Sequence, residues 1–148
     1  TGWRLGYICG HPDFIKIVTK IHQYAIMSSP TASQYAAIEA LRNGDDDIEM
    51  MKTEYNYRRR VIFEGFNNMG LECFEPKGAF YVFPCIKSTG MTSEDFCTTL
   101  LTEQKIAVVP GDAFGISGEG FIRCSYAYSI EKINEALNRI DMFVSGRR

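Results

Sequence analysis

Two arginines stand in stretches where the sequence pattern leads us to expect apolar side chains. Arg4 interrupts the sequence GWRLG at residues 2–6, and Arg123 interrupts FIRCS at residues 121–125. A guanidinium in a buried strand needs a partner, because burial of an uncompensated charge is costly. Its planar fork matches a carboxylate or a phosphate. For each arginine we consider an internal Asp or Glu, water reached from an edge strand, and an external anion.

The distribution of acidic residues bears on this choice. Many of them cluster where helices are predicted to begin, at residues 45–47 and 94–95, which leaves few internal partners for strand arginines. Taken one at a time, either arginine is still better explained by an internal partner or by water. The more specific hypothesis is that both arginines bind one ligand that carries a phosphate and a carboxylate, because such a ligand would use both guanidinium groups.

The bulk composition restricts the class of protein. The 148 residues are 45% hydrophobic and 23% charged, as in ordinary globular domains. The net charge of −2 offers no basic surface, so we expect no nucleic-acid partner. No apolar run approaches the roughly 20 residues of a membrane span, so we expect no membrane partner. No signal peptide is visible, and the first residue is Thr1, so we expect the chain to continue upstream.

The cysteine spacing argues against a metal site. The five cysteines at positions 9, 73, 85, 97 and 124 form no CxxC pair. Their apolar surroundings predict buried, free thiols in a reducing cytoplasm. His11 precedes Pro12 and is expected at a helix start, not in a catalytic cluster.

The order of predicted elements indicates an α+β architecture in the second half of the chain. Apolar periodicity and breakers predict a strand over residues 1–9, helices over 13–25, 31–41 and 45–69, a central strand over 79–86, a helix over 92–104, strands over 106–109 and 121–127, and a final helix capped by Ser129. The composition changes after Gly70, and strands and helices then mix without strict alternation.

Four segments, in order, resemble the class I/II aminotransferases, the pyridoxal-phosphate-dependent enzymes of fold type I. They are TGWRLGY at 1–7, EPKGAFYVFP at 75–84, VVPGDAFG at 108–115 and GFIRCSYA at 120–127. The resemblance covers essentially the whole chain and is greatest to the subgroup with aspartate, broad-specificity and N-acetyl-diaminopimelate aminotransferases. It implies an α+β C-terminal small domain of fold type I, preceded by the tail of the large α/β domain.

The resemblance also implies a role for each arginine. Arg4 matches the family arginine that binds the cofactor phosphate, and Arg123 matches the one that binds the substrate α-carboxylate. It further implies that residues 1–44 are the tail of the large pyridoxal-phosphate-binding domain and that residues 45–69 are an interdomain helix. Residues 70–148 are then the small domain, which in the family closes over bound substrate.

The same resemblance indicates what the chain lacks. The family's Schiff-base lysine is expected upstream of Thr1, so no catalytic residue is assigned within the chain. No metal ligand is assigned either, as the cysteine spacing already indicates. Lys77 lies in a Pro-Lys-Gly turn and is expected to be a surface residue. We expect the parent to be a cytoplasmic homodimer that transfers an amino group between an amino acid and a 2-oxo acid. The 148 residues alone are expected to be inactive.

Three alternatives remain open at this point. The parent could be a pyridoxal-phosphate-dependent lyase or synthase of the same fold, or a transcription regulator with an aminotransferase-like effector module. A free-standing α+β binding domain is the third, and four ordered motifs disfavour it. The resemblance does not identify the amino donor or acceptor, because all these substrates share the α-carboxylate.

Overall fold

The helices of this chain begin and end close to the positions that the sequence pattern predicts. The computed structural model describes residues 2–147. Its helices and strands are α1 (Pro12–Ala25), α2 (Thr31–Asn43), α3 (Asp45–Asn68), β1 (Tyr81–Val82), α4 (Ser93–Gln104), β2 (Val109–Pro110), β3 (Ile122–Ser125) and α5 (Ile130–Ser145). No helix within this described range combines the length and the apolar character needed to cross a membrane.

The chain divides into two compact units, and the division falls within α3, between Met50 and Met51. The predicted domain boundaries, at residues 44/45 and 69/70, stay predictions. In the first unit α1 begins as expected, with Pro12 in its first turn and the Nδ1 of His11 accepting a hydrogen bond from the Asp13 amide at 3.4 Å.

The predicted strand over residues 1–9 is wrong for the part of it that is described; Thr1 lies outside the described residues. Residues 4–11 carry no regular secondary structure, and nearly all of them are exposed. Arg4 has a φ of 52°, in the left-handed region, which is incompatible with a strand. The physical reason is the lack of a pairing partner, because the described remainder of this unit is helical and a strand forms only within a hydrogen-bonded ladder.

The second unit contains the hydrophobic core. Phe66 of α3, Phe96 of α4 and Phe143 of α5 are almost completely buried, and the last two rings meet edge to face at 5.1 Å. Helix α5 is capped by Ser129, as predicted. It contributes five buried side chains at helical spacing: Ile133, Leu137, Ile140, Phe143 and Val144. These helices pack together with the apolar residues of one sheet face.

The sheet of the second unit is antiparallel, with strand order β1-β3-β2. The predicted central strand over residues 79–86 is wrong, because only Tyr81–Val82 of that segment is a strand and it lies at the edge. Ala79 has a φ of 58°, and Pro84 has no N–H to donate to a ladder. The strand predicted over 106–109 is wrong in its position, because β2 is Val109–Pro110 and shares only Val109 with it. The strand predicted over 121–127 is found as the shorter β3, which is the central strand.

The N terminus of α4 is tied to the loop that leads into β3. Thr92 caps the helix, its Oγ1 accepting a hydrogen bond from the Asp95 amide at 3.1 Å. The fully buried Ser93 accepts through Oγ from the Gly120 amide at 2.8 Å, and its own amide donates to Glu119 at 2.9 Å. One serine therefore joins a helix start to the approach of the central strand.

Ser93→Ala is expected to lower the free energy of unfolding by about 1–3 kcal/mol, because the buried Gly120 amide loses its acceptor. Urea unfolding followed by far-UV circular dichroism measures the change. Ser88→Ala is the matched control, since Ser88 is exposed and should leave the midpoint unchanged. Equal midpoints for the two variants would contradict the assigned role of Ser93.

All five cysteines are free thiols. Cys73, Cys97 and Cys124 are buried as predicted, and Cys85 is half-buried. The prediction of burial is wrong for Cys9, which is exposed because residues 4–11 form no strand within a core.

The buried thiols should react slowly with thiol reagents, and their ionisation should destabilise the protein at alkaline pH. Burial raises the pKa of Cys73 and of Cys97 from 9.0 to about 11, and it raises the pKa of Cys124 as well. Reaction of these three with a thiol reagent at pH 8 should be slow in the native protein and fast in urea.

Because these thiols ionise more easily in the unfolded chain than in the native protein, the free energy of unfolding should fall as the pH rises from about 9 through about 11. Urea midpoints that do not change over this window would contradict the pKa shifts.

Candidate functional site

Arg123 lies on the open face of the sheet. Along β3 the buried Ile122 and Cys124 point into the core, while the half-buried Arg123 and Ser125 point to the other side. Tyr81 of β1 pairs with Ser125, so it shares this face. The alternation of a strand thus places a cation on the side of the sheet opposite the core.

Two aromatic rings contact the Arg123 guanidinium. Its Cζ lies 4.4 Å from the centroid of the Tyr81 ring and 4.4 Å from the centroid of the Phe114 ring. We call this pair of rings the aromatic cradle. A guanidinium attracts the negative face of an aromatic ring, so each contact stabilises the cation.

No carboxylate of the described chain pairs with Arg123. Carboxylates within residues 2–147 pair instead with other cations, among them Arg58, Arg59, Arg139 and Arg147. The internal Asp or Glu considered from the sequence is therefore not the partner of Arg123 in the described chain. The N–H groups of a guanidinium lie in one plane and match the two oxygen atoms of a carboxylate, so Arg123 can donate to an external carboxylate.

The loop between β2 and β3 brings Phe114 to this position. A short 3₁₀ turn runs from Gly111 to Phe114, and the Gly111 amide donates to the Phe121 carbonyl at 2.8 Å. The Phe114 ring also meets Phe83 edge to face at 5.8 Å between centroids. Gly111 packs so closely that an added Cβ would lie 2.1 Å from the Gly118 carbonyl oxygen. Only glycine therefore fits at position 111 without moving the turn that carries Phe114.

Arg4 belongs to the first unit and has a different environment. It is exposed, and its backbone has the left-handed φ of 52°. The buried Ser33 of α2 donates from Oγ to the carbonyl of Trp3 at 2.9 Å, which anchors the residue before Arg4. A left-handed conformation in a residue other than glycine stores strain and is typical of ligand-binding segments.

The sequence singled out Arg4 and Arg123 as candidate site residues, which stays a prediction, and the structure adds residues that contact Arg123 or the residue before Arg4. Arg4 and Arg123 belong to different compact units. The sequence pattern did not single out Ser33, which binds the Trp3 carbonyl, or the two rings beside Arg123, Tyr81 and Phe114. Tyr81 and Phe114 could have been singled out from the sequence, because they lie in two of the motifs that resemble the family, GAFYVFP and VVPGDAFG. Lys77 is exposed, as expected for a turn residue. Among residues 2–147, no group of His, Cys, Asp or Glu could hold a metal ion.

Comparison with known proteins gives consistent matches. The family model for aminotransferase class I and II matches residues 1–140. The chain is 48% identical to the aspartate aminotransferase of Pyrococcus horikoshii, over 100% of this chain and 39% of that protein. The solved aromatic aminotransferase from Pyrococcus horikoshii matches with a TM-score of 0.92 at 42% identity, over 99% of this chain and 40% of that one.

A second solved relative shows the same relation at lower identity. The aspartate aminotransferase from Thermus thermophilus, in a structure with maleate, matches with a TM-score of 0.86 at 35% identity. That match covers 95% of this chain and 37% of that one, so this chain spans about two fifths of its relatives' length. The fold matches the predicted α+β portion of fold type I. The chain belongs to the class I and II aminotransferase family.

Proposed function

We propose that the protein carrying this chain is a pyridoxal-phosphate-dependent aminotransferase that moves an amino group between an amino acid and a 2-oxo acid. The observation that carries the proposal is Arg123, a cation in contact with two rings and without a carboxylate partner among residues 2–147. Membership of the family supports the reaction class, and the relatives' names supply aspartate and aromatic amino acids as substrates of those proteins.

In this proposal Arg123 binds the α-carboxylate of the amino acid. A bidentate pair with the guanidinium fixes two oxygen atoms and thereby orients the bond from the carboxylate to Cα. The relative from Thermus thermophilus was solved with maleate, a dicarboxylate, which agrees with a carboxylate-binding family site. Every amino acid and every 2-oxo acid carries this group, so Arg123 serves both halves of the reaction.

Arg4 is proposed to bind the phosphate of pyridoxal phosphate. The residue fits this role because it is an exposed cation on an anchored turn, and a guanidinium matches phosphate geometry. When bound, the cofactor supplies an electron sink for the carbanion at the substrate Cα. The contribution of Arg4 is to hold the phosphate in place, with Ser33 holding the backbone of Trp3.

Further parts of the proposal concern the whole protein. We place residues 1–44 in the tail of the large cofactor-binding domain, residues 45–69 in an interdomain helix and residues 70–148 in the small domain. A homodimer in the cytoplasm is the expected assembly, and the five free thiols agree with a reducing compartment. The amino acid and 2-oxo acid are the proposed small-molecule partners.

The test uses the complete polypeptide that carries this chain. It is supplied with pyridoxal phosphate and with pairs of an amino acid and a 2-oxo acid, and formation of the new amino acid and the new 2-oxo acid is measured. Equal amounts of both products support the aminotransferase. Release of ammonia or of a β-substituent without a new amino acid would instead indicate a lyase, and specific DNA binding without turnover would indicate a regulator.

The 148 residues alone are expected to form no site-specific covalent adduct with pyridoxal phosphate. The lysine that binds the cofactor covalently is expected upstream of Thr1, and the exposed Lys77 is proposed to be a turn residue. Borohydride treatment followed by peptide mass mapping measures this, with the complete polypeptide as the positive control. A single lysine of this chain that is modified stoichiometrically would contradict the assignment.

A further inference from the structure

We propose that Tyr81 and Phe114, the aromatic cradle, are positioning residues that hold the Arg123 guanidinium ready for the substrate carboxylate. The inference rests on the proposed function, in which Arg123 binds that carboxylate. It adds two residues whose side chains act through the arginine. The geometry that supports it is the equal distance of 4.4 Å from the guanidinium carbon to each ring centroid.

The two rings reach Arg123 from separate parts of the second unit. Tyr81 comes from the edge strand β1 and stands beside Arg123 because it pairs with Ser125, two residues further along β3. Phe114 comes from the 3₁₀ turn after β2. The register of the sheet fixes one ring, and the turn that begins at Gly111 fixes the other.

Neighbouring rings support the cradle. The Tyr81 ring lies 4.6 Å from the ring of Phe80, and the Phe114 ring meets Phe83 at 5.8 Å. Tyr81 is half-buried, whereas Phe114 is 53% exposed. Because each ring has an aromatic neighbour, its orientation is constrained before any ligand binds.

A held guanidinium binds a carboxylate at lower entropic cost. A free arginine side chain samples many rotamers and loses that freedom on forming a bidentate pair. Two rings in contact with the Arg123 guanidinium restrict these rotamers in advance, while its N–H groups remain the donors for a carboxylate. The cradle therefore favours formation of the bidentate pair.

The test compares ring-removing variants with ring-keeping variants in the complete polypeptide. Tyr81→Leu and Phe114→Leu retain apolar volume but remove the ring, and each is expected to raise the KM for the amino acid about threefold to tenfold. Tyr81→Phe and Phe114→Tyr keep a ring, so each should keep the KM within about twofold of the wild-type value. Tyr57→Leu is the control, because it removes an exposed tyrosine remote from Arg123 in sequence.

A second readout separates positioning from a general structural role. Inhibition by a simple monocarboxylate should weaken in the leucine variants by the same factor as the KM rises. Inhibition by the corresponding primary amide, which carries no charge, should be unchanged. Equal weakening of both inhibitors would indicate loss of structure and would overturn the inference.

Arg123→Leu, together with the product assay, distinguishes failure of this inference from failure of the proposed function. If Arg123→Leu leaves the KM unchanged, Arg123 does not bind the carboxylate, and both its proposed role and the cradle are wrong; the aminotransferase reaction itself fails only if the complete polypeptide forms no new amino acid. If Arg123→Leu raises the KM while Tyr81→Leu and Phe114→Leu keep the wild-type value, the cradle alone is wrong. Should one leucine variant fail to fold, the other still decides, since the two rings lie on separate elements.

Discussion

Arg123→Leu is expected to lower kcat/KM of the complete polypeptide about a hundredfold to a thousandfold. The substitution removes a charge-assisted, bidentate pair with the α-carboxylate, and loss of one partner of such a pair costs about 2–5 kcal/mol. Arg123 forms no ion pair among residues 2–147, so the variant should lose only the two ring contacts, about 0.5–2 kcal/mol of stability each, and remain folded during the assay. Steady-state kinetics with one amino acid and varied 2-oxo acid measures the loss.

Two controls sharpen this result. Arg123→Lys keeps the positive charge and loses the planar fork, so it should fall between the wild type and Arg123→Leu. Arg60→Leu removes an exposed arginine of α3 and should leave kcat/KM unchanged. If Arg123→Leu loses no more than Arg60→Leu does, Arg123 has no part in substrate binding.

Gly111→Ala is expected to lower the free energy of unfolding by about 3 kcal/mol or more. A Cβ at this position would lie 2.1 Å from the Gly118 carbonyl oxygen and 2.7 Å from the Phe121 carbonyl oxygen. Both are backbone atoms, so relief of the overlap requires the loop between β2 and β3 to move. Urea unfolding followed by far-UV circular dichroism measures the loss.

The matched control for Gly111→Ala is Gly78→Ala. An added Cβ at Gly78 meets nothing within 4 Å, so the stability should remain close to that of the wild type. The variant at Gly111 should also weaken carboxylate binding, because the same turn carries Phe114. A Gly111→Ala protein with wild-type stability and wild-type KM would show that the close packing of this turn is dispensable.

The helices could be predicted because their signals are local. The helix α1 begins at Pro12 behind the capping His11, and α5 follows its cap at Ser129 with apolar residues at helical spacing. The periodicity that buries one face of a helix is complete within the segment itself. Prediction and structure therefore agree here to within a few residues.

The strands could not be predicted as well, because a strand depends on its partner. Residues 79–86 look like a central strand in composition, yet only Tyr81–Val82 pairs as one, at the sheet edge. Residues 1–9 alternate like a strand, and the described part of them has no ladder to join. The alternation of side chains predicts which residues share a face of a strand. Whether the strand forms depends on hydrogen bonds to a partner strand that is distant in sequence.

The sequence by itself determined the family, through four ordered motifs, and the two arginines that interrupt apolar stretches. Only the tertiary structure decided how each arginine is held. Ser33 binds the carbonyl of Trp3, next to Arg4, from 30 residues away, and Tyr81 and Phe114 contact Arg123 from two separate elements. The physical reason is that an arginine's type and position are local facts, whereas the rings and hydrogen bonds that orient it come together only when the chain folds.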